Sequence, residues 1–233
     1  MIESASDIFI LAIDGPAGAG KSTTSQRVAR VLGFSYLDSG ALYRCVALAA
    51  VEAGVVPDDD AAMAALISTL SVEPTADGRS FLLNGRDVSE AIRAPEVSQA
   101  ASRSSACPSV RSALLAWQRG AVRFPGTVVE GRDIGTVVFP GADLKIYLDA
   151  DPDERARRRS AELVETRTTD AESASLGKVK AEMAERDLRD STRKVAPLAA
   201  ASDAVVIDTT HSGLDQVVAR IVAEATARGR VAK

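Results

Sequence analysis

Gly15-Pro16-Ala17-Gly18-Ala19-Gly20-Lys21-Ser22 is the stretch that decides the fold. It matches the pattern G-x-x-x-x-G-K-[ST], which is typical of a phosphate-binding loop. The apolar run from Ile8 to Ile13 before it predicts a buried strand, and the helical spacing from Thr23 to Leu32 after it predicts a helix. Strand, glycine loop and helix in this order predict backbone N–H groups that surround phosphate oxygens at a helix N-terminus.

Two residues at the end of this loop indicate the chemistry that it serves. The ammonium group of Lys21 is expected to reach the β- and γ-phosphates of a nucleotide, and the hydroxyl of Ser22 is expected to face Mg²⁺. A glycine-rich turn that binds nothing is the alternative interpretation. The predicted strand before the loop and the predicted helix after it argue against that alternative.

Length and composition bound the classes of protein that remain. The 233 residues are enough for one α/β core with an insertion or for two small domains. The net charge of −4 argues against a broad basic face, so no nucleic-acid partner is expected. Arginine outnumbers lysine by 22 to 6, and arginine binds phosphate with two parallel hydrogen bonds. A GC-rich genome also enriches arginine, so position is more informative than number.

The cysteines and the N-terminus bear on the compartment. Cys45 and Cys107 fall in predicted helical or helix-edge segments, which favours reduced thiols over a disulfide framework. Glu3 and Asp7 stand where a signal peptide would carry basic residues. The sequence has no run of 18 apolar residues. We therefore expect a cytoplasmic protein with no membrane partner.

Four more apolar segments predict buried parallel strands, over 35–38, 127–130, 144–149 and 204–208. Helical patterns separate most of them, which predicts a doubly wound α/β sheet. Ligands bind such sheets at the carboxyl ends of the strands. Several acidic strand ends that converge on one edge indicate a site there; these ends carry Asp14, Asp38-Ser39, Glu130-Gly131-Arg132-Asp133, Asp149 and Asp208.

The segment 56–98 interrupts the alternation of strands and helices. It predicts a helix over 60–70 and short strands over 70–74, 80–83 and 86–88. Asn84-Gly85 between the last two strands predicts a type I′ hairpin. A small antiparallel sheet inside a parallel fold predicts an inserted subdomain, with a core over 8–55 and 99–228.

Two arginine clusters lie on predicted helices. Arg155, Arg158 and Arg159 share a helical face behind a predicted cap at Asp151, and taken alone that run favours a solvated face paired with nearby acids. The second cluster places an acid among three arginines on one stripe. That stripe fits either the ribose and phosphate of a nucleotide or a self-contained ladder of salt bridges; its residues are Arg186, Arg189, Asp190 and Arg193.

Two further arginines and the single histidine complete the candidates. Arg132 directly follows a predicted strand and is expected at the edge that carries the phosphate loop, and Arg44 follows Asp38-Ser39-Gly40 on a predicted helix. His211 lies in a polar loop and is expected at the surface. The sequence therefore excludes hydrolases that use a Ser-His-Asp or Cys-His arrangement, and it shows no Cys/His cluster for zinc.

Four blocks of sequence resemble those of bacterial cytidylate kinases. They are 14–23, 37–44, 131–140, and 186–190 followed by 195–198. They stand in the order and spacing of that family, and the resemblance extends from about residue 8 to 225. A phosphate loop alone is shared by many enzymes, whereas the combined set is specific.

The resemblance implies a nucleoside monophosphate kinase that transfers the γ-phosphoryl group of ATP to CMP or dCMP with Mg²⁺, in pyrimidine nucleotide metabolism. It implies a P-loop NTPase-type five-stranded parallel sheet flanked by helices. It also implies an antiparallel CMP-binding insert over 56–98 and a short lid over about 155–169. A monomer is expected.

The resemblance also implies a role for individual residues, carried over by position. The catalytic residues would be Lys21, Arg132, Arg155 and Arg193. ATP would be bound by Gly15, Pro16, Ala17, Gly18, Ala19, Gly20, Lys21, Ser22 and Thr23. The CMP phosphate would contact Arg44, Arg132 and Arg193; the cytosine and nearby sugar would contact Ser39, Ser102, Arg111 and Asp133; and the ribose would contact Arg186 and Asp190. Mg²⁺ would be held by Ser22 and, through water, by Glu130, which stands where some relatives have Asp.

Other functions are weighed against this one. A GTPase would need the guanine-binding pattern N-K-x-D, yet the single asparagine, Asn84, is followed by Gly85. An ATP-driven binding module would not need arginine and aspartate clustered at several strand ends. Among kinases, a different acceptor such as UMP stays open.

Overall fold

A computed structural model describes residues 8–75, 80–165 and 175–228 of the chain. The main elements in chain order are β1 (Phe9–Asp14), α1 (Lys21–Leu32), β2 (Ser35–Asp38), α2 (Ser39–Ala53), α3 (Asp60–Ile67), β3 (Val72–Pro74), β4 (Phe81–Leu83), β5 (Arg86–Asp87), α4 (Pro95–Ser104), α5 (Pro108–Gly120), β6 (Gly126–Gly131), β7 (Leu144–Asp149), α6 (Pro152–Glu165), α7 (Leu176–Thr192), β8 (Val205–Asp208) and α8 (Leu214–Ala227). A 3₁₀ turn over Ala91–Arg93 and a π-helical turn over Ile134–Val138 connect some of them.

Five strands form a parallel sheet in the order β2-β6-β1-β7-β8. β1 lies at its centre, and its residues pair with β6 on one side and β7 on the other. The central strands are apolar along most of their length because helices cover both faces of the sheet, so side chains on either face are buried. The predicted five-stranded parallel α/β fold is confirmed.

Successive residues of β1 and β6 face two different hydrophobic cores, as the two-residue period of a strand requires. Leu11, Ile13 and Val128 pack with α1 and α8 on one face. Ala12 and Val129 pack on the other face with helices α2 to α5. Helices α6 and α7 form a small third cluster that also contacts the phosphate loop at Ala17.

The segment between α3 and the 3₁₀ turn contains the antiparallel sheet β3-β4-β5. Asn84 and Gly85 both have positive φ, 51° and 79°, as the predicted type I′ hairpin requires. The predicted helix over 60–70 instead ends at Ile67, because the hydroxyls of Ser68 and Thr69 donate to carbonyl oxygens of the last turn. The division of the chain into a core and an insert stays a prediction.

The acidic strand ends divide into two groups. Asp149 accepts a hydrogen bond from the amide of Ala150, and Asp208 accepts two from Thr210, so both serve local turns. Asp14 is buried and accepts hydrogen bonds from the amides of Ile134 (2.8 Å) and Gly135 (2.7 Å). Burial raises the pKa of Asp14 to about 6 although these two amides lower it. Asp14 thereby fixes the turn that follows β6 against the start of the phosphate loop.

Candidate active site

The phosphate-binding loop connects β1 to α1 and depends on glycine at particular positions. Gly15, Gly18 and Gly20 all have positive φ. A Cβ at Gly15 would lie 2.0 Å from the carbonyl oxygen of Leu148, so the loop packs against β7 too closely for any side chain. Because α1 begins at Lys21, the loop ends at a helix N-terminus with its partial positive charge. This arrangement can bind phosphate.

Lys21 lies in this loop with its ammonium group held close by. Its Nζ donates to the carbonyl oxygen of Pro16 at 2.7 Å. Burial and the neighbouring charge of Arg132 lower the pKa of Lys21, against the opposing effect of Glu130. An anion bound in the loop would reverse that shift by favouring the charged amine.

Glu130 is the next-to-last residue of β6, beside the loop, and is 2% exposed. The Tyr36 hydroxyl donates to its Oε1, while Oε2 has no hydrogen-bond partner among the described residues. Burial and the charge of Asp38 raise the pKa of Glu130, while Lys21 and the nearby hydroxyls of Tyr36 and Ser22 lower it.

The donor set near Glu130 fits the magnesium ion that the resemblance implies. A buried carboxylate oxygen without a partner and the hydroxyl of Ser22 both line the same cavity. Within residues 8–75, 80–165 and 175–228 no group of three or more His, Cys, Asp or Glu could hold a metal by itself. Mg²⁺ commonly binds through one or two protein oxygens with substrate phosphates and waters supplying the rest, so this sparse set is sufficient.

A cavity of about 280 Å³ extends from the phosphate loop along α2, α4 and α7. Its loop end is lined by Ala17, Gly18, Lys21 and Ser22. All nine residues predicted to bind CMP also line it: Ser39, Arg44, Ser102, Arg111, Arg132, Asp133, Arg186, Asp190 and Arg193. The tertiary structure thus brings all nine predicted acceptor residues and four of the nine predicted ATP-binding residues to one cavity, whereas Arg155, predicted to be catalytic, does not line it. The roles of these residues remain predictions.

Asp133 forms the buried polar centre of the far end of this cavity. Arg111 donates to its Oδ2, and both side chains are less than 10% exposed. Nη2 of Arg193 lies 3.6 Å from Oδ1, beyond hydrogen-bond distance. Burial raises the pKa of Asp133, while the two arginines lower it. Oδ1 can therefore accept a hydrogen bond from a bound molecule, with its charge balanced by fixed cations.

Asp190 joins the second helical arginine cluster to the phosphate loop. Nε of Arg132 donates to its Oδ2 at 3.0 Å, and Nη1 of Arg132 donates to the carbonyl oxygen of Gly15 at 3.1 Å. Arg186 lies 3.8 Å from Asp190. Burial and the charge of Arg132 lower the pKa of Arg186 to about 10. The stripe on α7 is therefore not a self-contained ladder, because a residue 58 positions away in sequence supplies its closest partner.

Three side chains outside the predicted binding and catalytic sets hold predicted site residues in place, and of these only Gln118 was not a candidate in the sequence. Asp38 accepts from Arg44 at 2.9 Å, Gln118 donates to the Ser39 hydroxyl at 2.5 Å, and Arg189 donates to the Ser102 hydroxyl at 2.9 Å. Gln118 is 1% exposed. Gln118 follows Arg111 by seven residues on α5, so the two side chains lie on the same face of the helix. A polar residue on the face that packs against the core was the signal that could have identified Gln118 from the sequence.

The arginines of α6 lie in different surroundings. Arg157 is exposed and pairs with Glu154, whereas Arg158 pairs with Glu154 and also donates to Thr209 and to the carbonyl oxygen of Thr210, so it is not simply solvated. Arg155 is buried, and its guanidinium donates to the carbonyl oxygens of Ala150 and Ala17 and to Asp187. Arg155 thus lies beneath the phosphate loop.

Another arginine of this helix, Arg159, lines the cavity. Within the lid predicted over 155–169, positions 166–169 lie outside the described residues. The part of the lid that can be assessed is therefore the α6 portion.

The remaining expectations concern residues far from the cavity. His211 is exposed, and Cys45 and Cys107 are free and buried. Among the described residues, no helix is long and apolar enough to cross a membrane.

Comparison with known proteins agrees with this geometry. The family model described as cytidylate kinase matches residues 11–227. Relatives named cytidylate kinase from Solibacter usitatus and Syntrophotalea carbinolica are 49% and 48% identical, and the matches cover 95% and 96% of this chain and 95% and 94% of theirs. A third, from Shewanella loihica, is 49% identical over 90% of each chain. The chain belongs to the cytidylate kinase family of nucleoside monophosphate kinases.

Proposed function

We propose that this kinase transfers the γ-phosphoryl group of ATP to CMP and dCMP, giving CDP and dCDP. The observation that carries the proposal is one cavity that joins a phosphate loop to a buried cluster of arginine and aspartate. The proposal includes a monomeric, cytoplasmic enzyme of pyrimidine nucleotide metabolism.

The reaction needs charge neutralisation more than proton transfer. The second pKa of a phosphate monoester is about 6, so the acceptor oxygen of CMP is largely ionised at neutral pH. No general base is required, in agreement with a chain whose one histidine, His211, is exposed. Phosphoryl transfer then depends on positioning and on stabilising charge at the transferred group.

Cations at the junction of the two sides supply that stabilisation. Lys21 leaves the Pro16 carbonyl oxygen for the β- and γ-phosphates, while Arg44, Arg132 and Arg193 hold the CMP phosphate. Arg132 suits this junction because it contacts both Gly15 of the donor loop and Asp190 of the acceptor side. Such preorganised cations lower the barrier because they need not reorganise during the reaction.

Mg²⁺, when bound, would neutralise part of the triphosphate charge and orient the phosphate chain. Ser22 would hold it by its hydroxyl, and Glu130 would accept a hydrogen bond from one of its waters. The unpartnered, buried Oε2 of Glu130 supports that role.

Recognition of cytosine rests on the opposite hydrogen-bonding character of Asp133 and Arg111. Cytosine presents a donor at N4 and an acceptor at N3, and uracil reverses both. Asp133 accepts from the N4 amino group, and Arg111 donates to N3. Uracil would place a carbonyl oxygen against the carboxylate and an N–H against the guanidinium, and such buried mismatches are costly.

The remaining acceptor contacts position the sugar and the base. Asp190 and Arg186 contact the ribose, and Ser39 and Ser102 contact the cytosine and nearby sugar. The α6 arginines belong to a lid that closes over the phosphates and excludes water. Arg155 contributes there by supporting the loop from below, which its bond to the Ala17 carbonyl oxygen favours.

A panel of phosphoryl acceptors tests the proposal. ADP release from ATP is followed in a coupled assay with CMP, dCMP, UMP or no acceptor, at equal ATP concentration. Fast release with CMP and dCMP and background release without acceptor are expected. Equal rates with and without CMP would contradict a CMP kinase, and faster turnover of UMP would move the specificity to uracil.

A further inference from the structure

Tyr36 contributes a single polar atom to the active site. Its ring packs in the core between the sheet and α1, together with Val128. In the register of β2 and β6, Tyr36 lies opposite Val128 and Asp38 lies opposite Glu130. These four residues share one face because the side chains of a strand alternate with a period of two. The Tyr36 ring therefore starts at the level of Val128, and its hydroxyl extends along this face to the next pair, where it meets the carboxylate of Glu130.

That contact makes the two oxygens of Glu130 different. Oε1 accepts the hydrogen bond from Tyr36, which restrains rotation of the carboxylate. Oε2 is buried and has no partner in the part of the chain that the structure describes. Glu130 lines the cavity with Ser22 and Lys21. A carboxylate held at one oxygen presents its other oxygen to the cavity as one acceptor in a fixed position.

We propose that Tyr36 is a positioning residue for the metal end of the site. Its hydroxyl holds Glu130 so that Oε2 accepts the hydrogen bond from a Mg²⁺-bound water. The proposal rests on the proposed function, since it needs Glu130 to serve Mg²⁺. Residues that orient metal-binding groups typically change metal affinity by about 10- to 100-fold when they are removed. Because Glu130 would act through water, we expect the lower end of that range.

A purely structural role for Tyr36 makes a different prediction. Tyr36 as a whole is 9% exposed and its ring belongs to the core, so the ring stabilises the sheet whatever the hydroxyl does. Tyr36→Phe keeps the ring and removes only the oxygen. If the hydroxyl serves the fold alone, the variant loses stability but binds nucleotide with and without metal as the unaltered protein does.

The test measures ADP binding by calorimetry, once with EDTA and once with saturating Mn²⁺, and Mn²⁺ binding in the presence of ADP by electron paramagnetic resonance. For Tyr36→Phe we expect metal-free ADP affinity within twofold of the unaltered protein. The gain in ADP affinity from Mn²⁺ should fall about tenfold. Adding Tyr36→Phe to Glu130→Gln should change that gain no further, because no carboxylate is left to position.

Tyr147→Phe is the matched control, because Tyr147 is a half-buried tyrosine of β7 in the same sheet. It should keep the full effect of Mn²⁺. An unchanged Mn²⁺ gain in Tyr36→Phe, an equal loss of metal-free ADP binding, or additive effects in the double variant would each overturn the proposal. No phosphoryl acceptor is present in these experiments, so the result is independent of whether CMP is the substrate.

Discussion

The donor and acceptor sides of the cavity are built in different ways. The donor side is one continuous stretch, residues 15–23, in which backbone conformation makes the binding surface. The acceptor side takes side chains from α2, α4, α5, the turn after β6, and α7. The donor side tolerates few added atoms, whereas the acceptor side depends on which charged side chains lie next to one another. Substitutions on the two sides should therefore fail in different ways.

The largest effect is expected at Lys21, the cationic side chain of the donor loop. Lys21→Ala should lower kcat on the order of 10³-fold with the fold intact, because the lysine supplies positive charge where negative charge develops. Steady-state kinetics with circular dichroism measure both. Lys180→Ala, at an exposed lysine paired with Asp153, is the control. Turnover within threefold of the unaltered protein would remove Lys21 from the mechanism.

On the acceptor side, Asp133→Asn should reduce the preference for CMP over UMP. An amide accepts more weakly from N4–H and can donate to a uracil carbonyl oxygen. A hydrogen bond to a charged group contributes about 1.5–3 kcal/mol, or roughly 10- to 150-fold in kcat/KM. Measuring kcat/KM for both acceptors tests this. An unchanged ratio, with both acceptors weakened in parallel, would mean that Asp133 only holds Arg111 in place.

Alanine substitutions at two glycines of the donor loop distinguish the cost of backbone strain from the cost of a steric clash. Gly18 and Gly20 both have positive φ, but a Cβ at Gly18 would lie 2.8 Å from the Arg155 carbonyl oxygen, while one at Gly20 meets nothing within 4 Å. Both alanine variants carry the strain, and only Gly18→Ala adds the clash. Its free energy of unfolding should be lower than that of Gly20→Ala by about 1–3 kcal/mol. Urea denaturation measures the difference, and equal losses would contradict close packing at Gly18.

A pH dependence of nucleotide binding is expected on the donor side alone. Burial and Arg132 lower the pKa of Lys21 in the free protein, and a bound diphosphate raises it again. Between those two pKa values binding takes up a proton, so ADP affinity falls as pH rises, by up to about tenfold per pH unit. Calorimetry without metal from about pH 7.5 to 9.5 measures this slope. Lys21→Met should flatten it; the same slope in that variant would assign the proton elsewhere.

Much of the fold followed from local patterns. The strands predicted over 35–38 and 144–149 have those bounds in the structure, and the Asn84-Gly85 hairpin forms as expected. The ends of the helix and strands in the insert were harder to predict from the sequence. Its helix stops at Ile67, where the hydroxyls of Ser68 and Thr69 donate to the last turn rather than at a glycine or proline, and its strands are only two or three residues long.

The arginines show where sequence reasoning stopped. Arg155 and Arg157 are two residues apart, yet one lies buried beneath the phosphate loop and the other pairs with Glu154 at the surface. Helical spacing distinguishes the two faces but does not say what covers each face. Asp133 had Arg132 as its neighbour in sequence, and the structure pairs it with Arg111 instead. Arg132 contacts Asp190.

The sequence by itself determined the donor loop, because glycine positions, the preceding strand and the start of α1 are local properties of one stretch. Only the tertiary structure decided the ion pairs of the acceptor side. Charge partners are chosen by distance and burial, and the strand order β2-β6-β1-β7-β8 together with the packing of α5 and α7 brings Arg111, Asp133 and Arg193 within a few ångströms of one another.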